Sequence, residues 1–181
     1  MVHAMSRPPR THGDGEFTRD AFRHIGEGVV FEPHVLVFHP ENIEIADNVY
    51  VGHQTILKGY YKNSMILGAG TWIGQQCFFH AAGGLELGQN VGVGPGVRII
   101  TSYHVEAGRS VPILHAPIEF EPVVVGDDCD LGVGCVLLPG TRLGRGVQVG
   151  AGAVVKGDFP DYAVVAGVPA RILKMRPESP T

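Results

Sequence analysis

Between Val125 and Pro160, apolar and polar positions recur with a strict period of six: VGDDCD, LGVGCV, LLPGTR, LGRGVQ, VGAGAV, VKGDFP. The first position is always aliphatic and the second is usually Gly. The fifth (Cys129, Cys135, Thr141, Val147, Ala153, Phe159) is mostly small. No sandwich or doubly wound fold requires a period of six, whereas a parallel β-helix does, each repeat being one short strand and one tight corner. The first-position residue fills the core, and Gly after it lets the chain turn without strain.

The same phase extends backward. First positions fall at Ile25, Phe31, Val37; Ile45, Val51, Leu57; Leu67, Ile73, Phe79; Leu87, Val93, Ile99; Val125, Leu131, Leu137; and Leu143, Val149, Val155. Three hexapeptides make a coil, so the pattern predicts an all-β prism of about six triangular coils over residues 25–175. Coil starts at 25, 45, 67, 87, 125 and 143 leave 2, 4, 2, 20 and 0 residues beyond the 18 of an uninterrupted coil. Every insertion follows a third hexapeptide, so all of them protrude from one corner. Six strands about 4.8 Å apart rise roughly 29 Å.

The long insertion, Val105–Val124, has no repeat and contains three prolines. An irregular stretch of that length in a compact domain is usually functional. Residues 1–24 are polar and are expected to form a loose arm, with one helical turn within Phe17–His24. After Pro160, Tyr162–Ala166 continues as a strand, Gly167-Val168-Pro169 turns, and Ala170–Met175 caps the open end as a short strand or helical turn. Residues 176–181 are expected to fray.

Length permits one domain with a continuous core. The 26 glycines match the corners. A net charge of −4 argues against nucleic acid or an anionic membrane as the main partner. No apolar run approaches a membrane span, and the first ten residues lack a secretory h-region, so the expected location is cytoplasmic. The three cysteines all occupy fifth positions and read as small buried side chains, with no CxxC spacing.

Four stretches go further than the repeat: TSYH (Thr101–His104), VGDDCDLGVG (Val125–Gly134), VGAGAVVKGDFP (Val149–Pro160) and VVAGVPARIL (Val164–Leu173). Together they resemble the hexapeptide-repeat acyltransferases, and among them the galactoside and maltose O-acetyltransferase branch and the sugar acetyltransferases of polysaccharide gene sets. The resemblance covers about Ile25–Met175. It implies a left-handed coil, acetyl-CoA as co-substrate with no metal, a sugar or sugar-nucleotide acceptor, and a homotrimer with each cleft between neighbouring prisms.

Acyl transfer from a thioester needs a base, oxyanion donors and a cradle for coenzyme A. The resemblance makes His104 the base. Its orienting partner is a carboxylate or carbonyl, with Glu106, Glu119 and Glu121 as the candidates, Glu119 or Glu121 preferred. His80, on the third face one coil earlier, and His115 on the insertion are candidate acceptor contacts. By motif position the amides of Val133 and Ala151, one coil apart, match the family's oxyanion and pantetheine donors. Lys156, Arg171 and Lys174 are candidate phosphate partners. The chain departs from the family in carrying Asp130 where close relatives usually have Trp, and Lys156-Gly157-Asp158 where they have Thr-Lys-Asp.

Two other readings come from different classes. A γ-carbonic-anhydrase-like zinc hydratase would need three converging histidines. His80, His104 and His115 are available, but their spacings of 24 and 11 do not match that family. A non-catalytic β-helix scaffold would have no use for the histidine and its insertion.

Overall fold

The computed structural model describes residues 11–179. Three parallel sheets form the sides of a prism. The first face stacks His24–Ile25, Ile43–Ile45, Met65–Leu67, Leu85–Leu87, Val123–Val125, Arg142–Leu143 and Asp158–Phe159. The second runs from Val30–Phe31 through Tyr50–Val51, Trp72–Ile73, Gly92–Val93, Asp130–Leu131 and Gln148–Val149 to Ala163–Gly167. The third stacks Leu36–Phe38, Ile56–Lys58, Phe78–His80, Arg98–Ile100, Val136–Leu137 and Val154–Val155. The first-position residues meet rung to rung, as in Val93 with Leu131 and Ile99 with Leu137. Most are fully buried.

The phase shifts once. Phe159 stands in register with Leu143, so it is a first-position residue rather than the fifth-position residue of the six-residue count. The corner after Val155 is two residues short, and Gly157, at φ +101°, makes that tighter bend possible. A seventh, partial coil follows the six full ones. It ends where Ala170–Met175 folds back antiparallel on Ala163–Gly167 as the last strand of the second face.

The arm is not loose where it is described. Phe17, Phe22 and Phe31 pack ring against ring over the first coil, and one 3-10 turn spans Arg19–Ala21. The Arg19 guanidinium donates to the Val29 carbonyl at 3.0 Å. The expectations for residues 1–10 and 180–181 lie outside the described residues.

All insertions leave the corner between the third and first faces. The long one is partly regular: Ser102–His104 pairs antiparallel with Ile118–Phe120, and Val123–Val125 has already rejoined the first face. The irregular part is therefore 105–117, shorter than the 105–124 expected, with a 3-10 turn at Ile113–His115. Thr101 anchors its root. The buried Thr101 hydroxyl donates to the His80 carbonyl at 2.7 Å and accepts from the Gly83 amide at 2.8 Å. The Thr101 carbonyl takes the Glu121 amide at 3.1 Å.

The three cysteines are buried and unpaired. Burial raises the Cys77 thiol and pushes Cys129 up to about 11 and Cys135 up to about 12. They serve as small core residues.

Candidate functional site

His104 closes the first strand of the ribbon, and its register partner is Ile118. The half-buried ring donates its Nδ1–H to the Ala116 carbonyl at 3.0 Å. With that proton committed, Nε2 carries the lone pair and is the atom free to accept a proton. The orienting group is thus a backbone carbonyl of the insertion.

Glu119 and Glu121 do not orient His104. The Tyr103 hydroxyl lies 2.7 Å from Glu119 Oε2 and 2.9 Å from Glu121 Oε1, its one hydrogen shared between them. Those two contacts raise the phenol's pKa well above its ordinary value, chiefly through the hydrogen bond to Glu119. The Lys156 ammonium stands 5.4 Å from the centre of the same ring. Glu121 also presses on Gly140, at φ +81°, where a Cβ would collide with its Oε2. Tyr103, Glu119, Glu121 and Lys156 therefore form one cluster, on the side of the ribbon opposite to His104. Tyr103 lies within the TSYH stretch, but nothing in its spacing marks it for a role.

His80 sits on the third face with Phe78 stacked 6.3 Å away and Tyr60 edge-on at 5.7 Å. Burial first, then Lys58 and His12 nearby, lowers its pKa from the ordinary histidine value. His115 is exposed in the 3-10 turn of the insertion. Among the described residues no three histidine, cysteine or acidic side chains are grouped to hold a metal ion.

Val133 and Ala151 occupy the opposite end of the third face, at its corner with the second. The Gly152 amide bonds the Val133 carbonyl at 2.9 Å, so the two residues stack one coil apart. Neither of their amide N–H groups has a hydrogen-bond partner within the described residues, and Val133 is 56% exposed. The corner between the first and second faces is different. There Asp47, Asp127 and Asp161 accept the equivalent amides of Glu27, Gln89 and Arg145, each at 2.8 Å. Arg171 and Lys174 lie on the last strand of the second face, with the Arg171 guanidinium on the Ala170 carbonyl at 2.8 Å. Within one prism the base and the unpaired amides thus stand at two different corners.

A family description, the hexapeptide repeat of succinyl-transferase, matches residues 122–156. A probable acetyltransferase of Mycobacterium tuberculosis is 30% identical over 84% of this chain, and the match spans 52% of that protein. A tetrahydropyridine-dicarboxylate N-acetyltransferase of Brevibacillus brevis is 45% identical over 39% of this chain and 30% of its own length. The chain spans about half or less of these relatives. Among solved structures, the N-acyltransferase AntD of Bacillus cereus, in complex with dTDP and coenzyme A, aligns over 92% of this chain and 93% of its own, at TM-score 0.79 and 20% identity. A maltose O-acetyltransferase from Clostridium difficile aligns over 88% and 73%, at TM-score 0.64 and 25% identity.

Proposed function

We propose that this hexapeptide-repeat chain, which has the fold of the acyltransferases it resembles, is an acetyl-CoA-dependent acetyltransferase. It transfers the acetyl group to a hydroxyl or amine of a sugar or sugar nucleotide, in the cytoplasm. The observation that carries the reading is His104, held by the Ala116 carbonyl so that Nε2 is left as the acceptor at the root of the insertion.

His104 Nε2 takes the proton from the acceptor O–H or N–H as that atom attacks the thioester carbonyl carbon. The carbonyl oxygen gains charge in the tetrahedral stage, and an unpaired backbone N–H such as that of Val133 donates to it. On collapse the imidazolium returns its proton to the departing thiolate. Lys156, Arg171 and Lys174 are offered to the coenzyme's phosphates.

Because base and amides sit at opposite corners, the cleft needs the insertion corner of one copy against the amide corner of the next. A closed ring of three copies satisfies this with one kind of contact. The side chains on the third face support it: the outward row is Leu36, Ile56, Phe78, Arg98, Val136 and Val154. The first face instead presents His24, Glu44, Ile66, Glu86, Val124, Arg142 and Asp158. Five of the six third-face side chains are apolar, with Arg98 between Phe78 and Val136, and such a face suits a protein interface better than water.

The test is coenzyme thiol release from acetyl-CoA across a panel of sugars and nucleotide-linked amino sugars, together with sedimentation. Absence of release with every acceptor, or a stable monomer under assay conditions, would contradict the reading.

A further inference from the structure

A group of aromatic rings and lysines shares the corner of His104 and has no part in the chemistry above. The insertion after the second coil brings Tyr60 and Tyr61 together at 4.6 Å between ring centres and sets Tyr60 6.2 Å from Phe120 of the ribbon. The Lys62 ammonium lies 5.4 Å from the centres of both Tyr61 and Phe120. Two π faces therefore hold that cation at the edge of the rings. Lys58 lies beside His80 on the adjacent strand. Among the described residues neither Lys58 nor Lys62 makes a salt bridge. Tyr61 is 63% exposed, so its ring remains available to a ligand.

The group adjoins the base. In the ribbon Phe120 faces Ser102 and Ile118 faces His104. The aromatic floor thus begins two residues, about 7 Å, along the ribbon from the imidazole. A free sugar offers hydroxyls and is best met by carboxylates and amides, and the two side-chain amides here, Asn42 and Asn63, are already bonded to the Tyr60 and Ala82 carbonyls at 2.9 and 2.6 Å. A nucleotide offers a planar base for an exposed ring and phosphate oxygens for uncompensated ammonium groups.

Resting on the acetyltransferase reading, we infer that the acceptor is a sugar linked to a nucleoside diphosphate. The base stacks on Tyr61, the diphosphate meets Lys62 and Lys58, and the sugar is delivered to His104. The nucleotide end of coenzyme A has the same chemistry, so the test must separate the two sources.

Titration calorimetry on the full chain would use UDP, dTDP, GDP and ADP in one arm, and 3′-phosphoadenosine 5′-phosphate and acetyl-CoA in the other. At least one nucleoside diphosphate should bind, and Tyr61→Ala and Lys62→Ala should each weaken it by roughly tenfold or more. Acetyl-CoA affinity and the melting temperature should stay at their unsubstituted values, since Tyr61 is a surface residue. Two results overturn the inference: no nucleoside diphosphate binding at millimolar concentration, or losses that fall on the coenzyme probes. Platform-dependent nucleotide binding without any acetyl-CoA binding would leave this site standing and remove the acetyltransferase reading instead.

Discussion

Replacing His104 with alanine separates chemistry from binding. The substitution removes one half-buried hydrogen bond, Nδ1–H to the Ala116 carbonyl at 3.0 Å. Such a bond contributes about 1 kcal/mol, and for a chain of this size that lowers the melting temperature by about 2–4 °C. Loss of the general base costs roughly 100- to 10,000-fold in turnover, or about 2.7–5.4 kcal/mol of barrier. The two magnitudes differ enough that a small stability change cannot account for the lost rate. Thiol-release rates, acetyl-CoA affinity and melting would be measured on the same preparation. Turnover should collapse, affinity should hold, and added imidazole should restore part of the rate. Turnover within about threefold of the unsubstituted chain would refute the role of His104 as base. The size of the defect also reports on the acceptor. An amine already unprotonated at assay pH needs the base less than a sugar hydroxyl does, so a mild defect points to N-acylation.

Thr101→Val leaves the His80 carbonyl and Gly83 amide without their hydroxyl partner, and two such losses should destabilise the chain by about 2–5 kcal/mol, read in a denaturant melt. Cys129 and Cys135 titrate near 9.0 when unfolded and at about 11 and about 12 when folded. Their stabilising effect is complete below pH 9 and is lost as pH rises through the folded values. The denaturation midpoint should therefore fall between pH 8 and pH 11, and a Cys129→Ala, Cys135→Ala chain should show a flatter profile. Joining His104 to Ile118 by a two-residue turn suits the antiparallel ribbon. Excising 105–117 in this way should keep circular dichroism intact and abolish turnover, because the Ala116 carbonyl goes with the insertion; full activity would show that His104 needs no such partner.

What the sequence reveals depends on whether a residue acts through its side chain in a repeating place. The period of six is legible because every first position must fill the same core. The seventh coil is not, since Val155 to Phe159 skips two residues and a fixed count drifts out of phase there. The orienting partner of His104 is hidden for another reason. Adjacent residues of a strand point to opposite sides, while directly opposed residues share one. Tyr103 opposes Glu119 and His104 opposes Ile118, so the carboxylate that looked suited to the histidine reaches the tyrosine instead. The group that does hold the imidazole is the carbonyl of Ala116, and a backbone acceptor leaves no mark in composition.

The unpaired amide of Val133 is open to a cleaner test than side-chain removal, because the fold already shows what the position tolerates. One coil earlier the same corner reads Gly94-Pro95-Gly96, against Gly132-Val133-Gly134. The Gly134 amide bonds the Pro95 carbonyl at 2.9 Å, which places the two corners one above the other. Proline is thus accommodated at this corner, and Val133→Pro would remove an N–H that bonds nothing among the described residues. A compatible proline stabilises by about 0.4–1 kcal/mol through the unfolded chain, so melting should hold or rise slightly. Loss of one oxyanion donor costs about 100- to 1,000-fold in turnover. The comparison is sharpened by the other corner, where aspartates occupy the equivalent amides. Asp127→Ala there should cost stability without that loss of rate. A Val133→Pro chain that melts normally and turns over at full rate would take the oxyanion away from this corner, leaving the exposed amides an unfilled feature of the turn.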